Sequence, residues 1–111
     1  MIRDTLFLLP PGFEARGERQ YCPECAEVWG LLAYYPAIRE TLDVVYQPVA
    51  HPRPDLVTRL GTGQWNCPTL ILGDTSPDGA GVQASNGVRY IDNARDLGRY
   101  WAALYGTAVP R

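Results

Sequence analysis

Two kinds of pattern share this chain: short unbroken apolar runs, and longer stretches with apolar residues three or four positions apart. The first run predicts a buried strand over Asp4–Leu9, ended by Pro10-Pro11-Gly12. Pro10–Tyr21 reads as a polar loop containing Gly12, Glu14, Arg16, Gly17, Glu18 and Arg19. Beyond it Cys25, Val28, Trp29, Leu32 and Tyr35 recur at helical spacing and define one apolar face. Pro23 suits the first helical position, where a missing N–H costs nothing, and Glu24 and Glu27 suit the positive end of the helix dipole. Gly30 weakens this helix by ~1 kcal/mol relative to Ala, so close packing on the sheet is the role expected of it. Pro36 interrupts the pattern, and Pro36–Leu42 reads as a short continuation.

Asp43–Val49 is the second predicted strand, with Pro48 at its end or on a sheet edge. His51-Pro52-Arg53-Pro54 cannot be regular, Asp55–Leu60 fits a short helix stopped by Gly61, and Thr69–Leu72 is a third strand. Gly73–Gly87 is rich in Gly, Asp and Ser and is expected to be an irregular, mobile connection. Val88–Ile91 is a fourth strand. Asn93 is an N-cap with Asp96 at the third helical position, Leu97, Tyr100, Trp101 and Leu104 form an inward stripe, and Gly106 stops the last helix. The predicted order is β-α-β-α-β-β-α.

The 111 residues are those of one domain, 1–111, large enough for its own core. An apolar content of 46% and 11% aromatics belong to a folded globular chain. Ten basic residues, all Arg, nearly balance twelve acidic ones without a like-charged run, so nothing points to nucleic acid or an anionic membrane as partner. No apolar stretch approaches the ~18 residues that span a bilayer. Met1-Ile2-Arg3-Asp4 does not open a signal peptide, and a cytoplasmic location is the expectation. There the three cysteines would be mostly reduced, which argues against an extracellular disulfide framework.

Those cysteines change the picture most. Cys22-Pro23-Glu24-Cys25 lies at a helix start after a strand, and Cys67-Pro68 opens a later strand. A C-x-x-C so placed reads as a thiol–disulfide redox motif. The thiolate is the attacking species, and at a helix N-terminus Cys22 would face unpaired N–H groups and the positive dipole end. Cys25, one turn on, would have its Cβ ~5–6 Å away, within reach of a disulfide after small adjustment. Cys22 is then the nucleophile and Cys25 the resolving thiol. Glu24 opposes the thiolate, but by pointing to solvent it would be screened. Two other readings stay open: small core residues at a helix start, or a Zn²⁺ or iron–sulfur site built from Cys22, Cys25 and Cys67 with His51 or an exogenous thiol as fourth ligand. His51 is the only histidine, and its Pro-rich setting suits an exposed loop. Tyr21 and Trp65 flank the motifs, where they could wall a groove or simply pack.

The element order together with the C-P-x-C form resembles the thioredoxin-like superfamily, and glutaredoxins more than thioredoxins. Tyr90-Ile91-Asp92-Asn93-Ala94-Arg95-Asp96-Leu97 with Tyr100-Trp101 is similar to the stretch that opens the last helix of glutathione-transferase N-terminal domains. The Pro-Pro-Gly-Phe loop departs from both and resembles a small family of bacterial thioredoxin-like domains without assigned function. The resemblance implies a four-stranded mixed sheet flanked by helices. It implies a cis bond before Pro68, with Pro68 docking the substrate and the backbone of Cys67 pairing with a bound peptide or glutathione. It places Cys67 beside the dithiol, to trap a mixed disulfide, to join a metal site or to pack. Tyr21 and Pro23 border the same substrate site, and Asp92 and Asn93 would meet the γ-glutamyl end of glutathione. The implied activity is thiol–disulfide exchange on a protein or small-molecule disulfide, with no cofactor and with glutathione as co-substrate. A non-catalytic interaction domain is the further alternative, since fold does not fix function.

Overall fold

Strand β1 (Asp4–Leu8) sits inside a five-stranded mixed sheet of order β4-β1-β5-β7-β6 in the computed structural model, which describes residues 2–111. The other strands are β4 (Leu42–Tyr46), β5 (Thr69–Ile71), β6 (Gln83–Ser85) and β7 (Val88–Ile91). A separate hairpin, β2 (Phe13–Ala15) and β3 (Glu18–Gln20), precedes the first helix. The helices are α1 (Pro23–Tyr34), α2 (Pro36–Arg39), α3 (Pro54–Leu60) and α4 (Ala94–Tyr105). Only β1 and β4 pair in parallel, with Leu6 opposite Val44, while β1 meets β5 antiparallel with Leu6 opposite Leu70. Successive strand residues point to opposite faces. Leu6, Phe7 and Leu8 are all buried, as are Thr69, Leu70 and Ile71, so the central strands are covered on both sides. The radius of gyration, 13.7 Å, is close to the ~13 Å expected of a compact domain this long. Among the described residues no helix is long and apolar enough to cross a membrane.

The sheet has five strands rather than four. The fifth, β6, lies inside the segment expected to be an irregular connection, and pairs with β7 through Ala84 opposite Arg89. Its turn is Asn86-Gly87, both at positive φ (54° and 74°), as a two-residue hairpin of primed type requires. Arg16-Gly17 turns the β2–β3 hairpin with the same signs, 54° and 76°, inside the predicted polar loop. The rest of Gly73–Gly87 is pinned, not free. Asp4 Oδ1 accepts the Gly73 N–H at 2.7 Å, Arg89 reaches Asp78 and the Gly73 carbonyl, each at 2.9 Å, and the Tyr100 hydroxyl donates to Pro77 O at 2.8 Å.

Smaller corrections have local causes. Strand β4 stops at Tyr46 instead of Val49: the Gln47 N–H makes the last bond to β1, on Leu8 O, and Pro48 has none to offer. Helix α2 ends at Arg39, which frees Leu42 to enter β4 as a buried residue. The Leu42 carbonyl accepts from both Arg3 (2.8 Å) and Arg39 (3.2 Å), and Arg3 also pairs with Asp43 at 3.3 Å. In α4 the inward stripe ends at Trp101, for Leu104 is 38% exposed. Gly30 does not pack on the sheet. It is exposed, and a Cβ there would meet nothing within 4 Å.

Gly30 and Gly73 should therefore respond oppositely to Ala. At Gly30 the helix gains ~1 kcal/mol, and the thermal midpoint should rise by roughly 4 °C. At Gly73 the added Cβ runs into the backbone carbonyl of Ile2, and a loss of about 1–3 kcal/mol is expected. Thermal unfolding of the two variants measures both.

Candidate active site

Strand β1 delivers the chain to the start of α1, and the thiols gather there. Cys22 is the N-cap residue, in extended conformation (φ −81°, ψ 115°), with Pro23 at the first helical position. Its Sγ accepts the Cys25 N–H at 3.2 Å and lies 3.7 Å from the Cys67 carbonyl, to which the thiol donates. Cys22 is half-buried, whereas Cys25 and Cys67 are each 3% exposed. Cys25 Sγ accepts the Leu9 N–H at 3.4 Å. Burial pushes the Cys25 thiol far up, its hydrogen bond to Cys22 adds to this, and Leu9 opposes it. Burial pushes Cys67 up to about 11, against the pull of the Arg53 charge. All three are free thiols.

The Cys67–Pro68 bond is cis and Pro68 is buried at the head of β5. Just before it, Asn66 Nδ2 donates to Asp92 O at 2.8 Å and to Glu24 Oε2 at 3.4 Å. The other oxygen of Glu24 accepts the Ala94 N–H at 2.9 Å. Glu24 therefore does not point to solvent as expected; its carboxylate caps α4, and that removes its negative end from the thiol. Asp92 and Asn93 are brought to the same corner but are engaged. Asp92 Oδ1 accepts from Gln83 at 3.0 Å, and Asn93 Oδ1 accepts the Asp96 N–H at 2.8 Å.

On the other flank of Cys22 lies a pocket of about 240 Å³ walled by Leu9, Pro10, Pro11, Tyr21, Ala26 and Trp29, with both motif cysteines in its lining. Tyr21, 65% exposed, forms its rim. Trp65 is not part of it. Its indole N–H donates to Gly61 O at 2.7 Å and its ring meets Tyr90 edge-on at 5.5 Å, so packing is its role. His51 is exposed on another surface, beside Val57 and Thr62. Among the described residues no group of three or more His, Cys, Asp or Glu side chains has the spacing to hold a metal.

The sequence reading missed Arg53, which is only 7% exposed. Its guanidinium donates to Pro48 O (3.0 Å), Val49 O (2.9 Å) and Trp65 O (2.9 Å), tying the Pro-rich segment to the loop that leads into Cys67. No carboxylate pairs with it among the described residues. The only signal was its place between two prolines, in a stretch whose carbonyls had no regular partners.

Fold and site together define a mixed α/β domain with a dithiol at a helix start and a third thiol beside it. The chain belongs to the family described as protein of unknown function (DUF3088), whose family model matches residues 3–109. No curated protein and no solved structure matches it significantly.

Two outcomes follow from these environments. Arg53→Met leaves three inward carbonyls without their donor and should cost roughly 2–4 kcal/mol in urea unfolding. The second concerns alkali. Cys67 titrates at about 11 folded against 9.0 ordinarily, and burial raises Tyr100 to about 12 from 10.0. Both pKa values are raised, so the stability from keeping these groups neutral is complete below pH ~9 and is lost as pH climbs toward the folded values. Chemical denaturation at stepped alkaline pH should show this fall, and Cys67→Ala with Tyr100→Phe should make it shallower, leaving the part that buried Cys25 contributes.

Proposed function

We propose that this protein is a thiol–disulfide oxidoreductase of glutaredoxin-like type on a thioredoxin-like fold, working in the cytoplasm. With the β2–β3 hairpin, the one-turn helix α2 and edge strand β6 set aside, the remaining elements run β-α-β-α-β-β-α, which supports the fold assignment. The observation that carries the activity is the Cys22 sulfur, which caps α1, accepts a backbone N–H and is the least buried of the three thiols.

In the proposed reaction the Cys22 thiolate attacks one sulfur of a substrate disulfide. A Cys22–substrate S–S bond forms, the substrate S–S bond breaks, and one thiolate leaves and takes a proton from water. Cys25 then loses its proton to solvent and attacks Cys22 Sγ, closing the Cys22–Cys25 disulfide and releasing the second thiolate. The substrate gains two electrons and the dithiol loses two. An external thiol, glutathione among the candidates, must return them. Contact with Cys22 is one of the causes that hold Cys25 neutral. Once Cys22 is tied up as a mixed disulfide it carries no charge, so its share of the hindrance disappears while burial, the larger cause, remains, and the Leu9 N–H is in place to receive the anion.

Mass spectrometry after mixing with a small disulfide tests the roles. Cys25→Ser should accumulate a mixed disulfide on Cys22, the wild type should pass on to an intramolecular Cys22–Cys25 bond, and Cys22→Ser should lose at least ~10³-fold in rate. A linkage through Cys67 in the wild type would refute the assignment.

A further inference from the structure

Resting on that exchange reaction, we infer that Glu24 sets the substrate class: Cys22 acts on disulfides flanked by an apolar group and discriminates against those flanked by a carboxylate. The two flanks of Cys22 are chemically unlike. Toward α4, the first-turn N–H groups would be the natural receptor for a substrate carboxylate. Two of them are already taken by the chain itself. Ala94 N–H donates to Glu24 Oε1 at 2.9 Å, and Asp96 N–H donates to Asn93 Oδ1 at 2.8 Å. The Asn66 amide, the nearest side-chain donor from the Cys67 loop, is shared between Glu24 and Asp92 O.

The same flank is electrostatically closed to anions. Glu24, Asp92 and Asp96 all lie on it, and its nearby cations are already paired, Arg95 with Glu27 at 3.2 Å and Arg99 with Asp96 at 3.6 Å. An incoming carboxylate would have to displace one that is tethered two residues from Cys22, and a tethered competitor is present at high effective concentration. Buried Ala94 gives no second approach to that N–H.

Toward β1, Cys22 borders the pocket walled by Pro10, Pro11, Tyr21 and Trp29. Its walls carry no charged side chain, and its size suits one aromatic or branched aliphatic group next to the substrate sulfur. The substrate class is thus a peptide or small molecule with an apolar neighbour to its disulfide. The exchange step keeps the electron balance given above.

The test compares two acetylated, amidated dipeptide disulfides that differ only in the residue before cysteine, phenylalanine or glutamate. Mixed-disulfide formation on Cys25→Ser protein is timed for each and divided by the rate with the symmetric disulfide of N-acetylcysteine amide. The phenylalanine disulfide should react about tenfold faster or more, as one filled apolar pocket allows. Adding Glu24→Ala should raise the normalised glutamate rate about five- to thirtyfold, the value of an anion at a partly buried helix N-terminus, and move the normalised phenylalanine rate far less, any general change in Cys22 reactivity cancelling in the division. Equal rates before that change, or an unmoved glutamate rate in a folded Glu24→Ala protein, overturns the inference while leaving the exchange reaction standing. Should Glu24→Ala unfold, the ratio in the Glu24 protein still decides. Reaction of Cys22 with neither peptide would sink the exchange reaction itself.

Discussion

Strand β1 must satisfy two hydrogen-bonding edges and hide two faces, and the rest of the molecule is arranged around that demand. Its parallel neighbour β4 cannot follow by a tight turn, so the chain must cross over, and α1 with α2 makes the crossing. A crossover helix begins where the preceding strand ends. The N-terminus of α1 is therefore fixed beside Leu9, whose N–H reaches Cys25 Sγ. The antiparallel neighbour β5 brings its own leading residues, Cys67 and Pro68, to the same end of the sheet. Three sulfurs converge because two strand pairings meet on one strand. At the opposite end of β1, Asp4 holds Gly73 and closes the connection that follows β5.

Arg53 answers a different constraint. The segment from Gln47 to Pro54 contains three prolines, which donate nothing, and its carbonyls face inward without a strand partner. A single fork-shaped cation supplies donors for Pro48, Val49 and Trp65 at once, which a Lys ammonium would do less well. The same charge lies against Cys67 and restrains the upward push that burial gives its thiol. Loop closure and thiol chemistry thus share one residue.

Much of this was legible in the chain. The spacing of Val28 and Leu32, the Asn93–Asp96 cap and the unbroken runs of β1, β5 and β7 carry their own periodic or capping signals, and the cysteine motif announced its place at a helix start. Strand β6 was not legible from hydrophobicity, since Gln83-Ala84-Ser85 is a short, exposed edge; the Asn86-Gly87 turn was the available sign. The β2–β3 hairpin hid in the same way behind polar composition. Glu24 misled because its partner, Ala94, lies 70 residues on, and no local rule links a first-turn acid to a distant helix end. Arg53 lacked a signal for the same reason: its carbonyl partners become neighbours only after β4, α3 and β5 have docked.

The outer margins of the sheet have a bearing on solubility. A five-stranded open sheet ends in two unpaired margins, each a template on which a second chain could add a strand. Here β6 is three residues long and polar, too brief to seed such growth. On β4, the Leu42 carbonyl is already held by the guanidinium groups of Arg3 and Arg39, and Asp43 carries the Arg3 ion pair outward. An arriving strand would have to break those bonds and bury charge before gaining its first ladder contact. Arginines that contribute little to the core thereby oppose strand addition at this margin of the sheet.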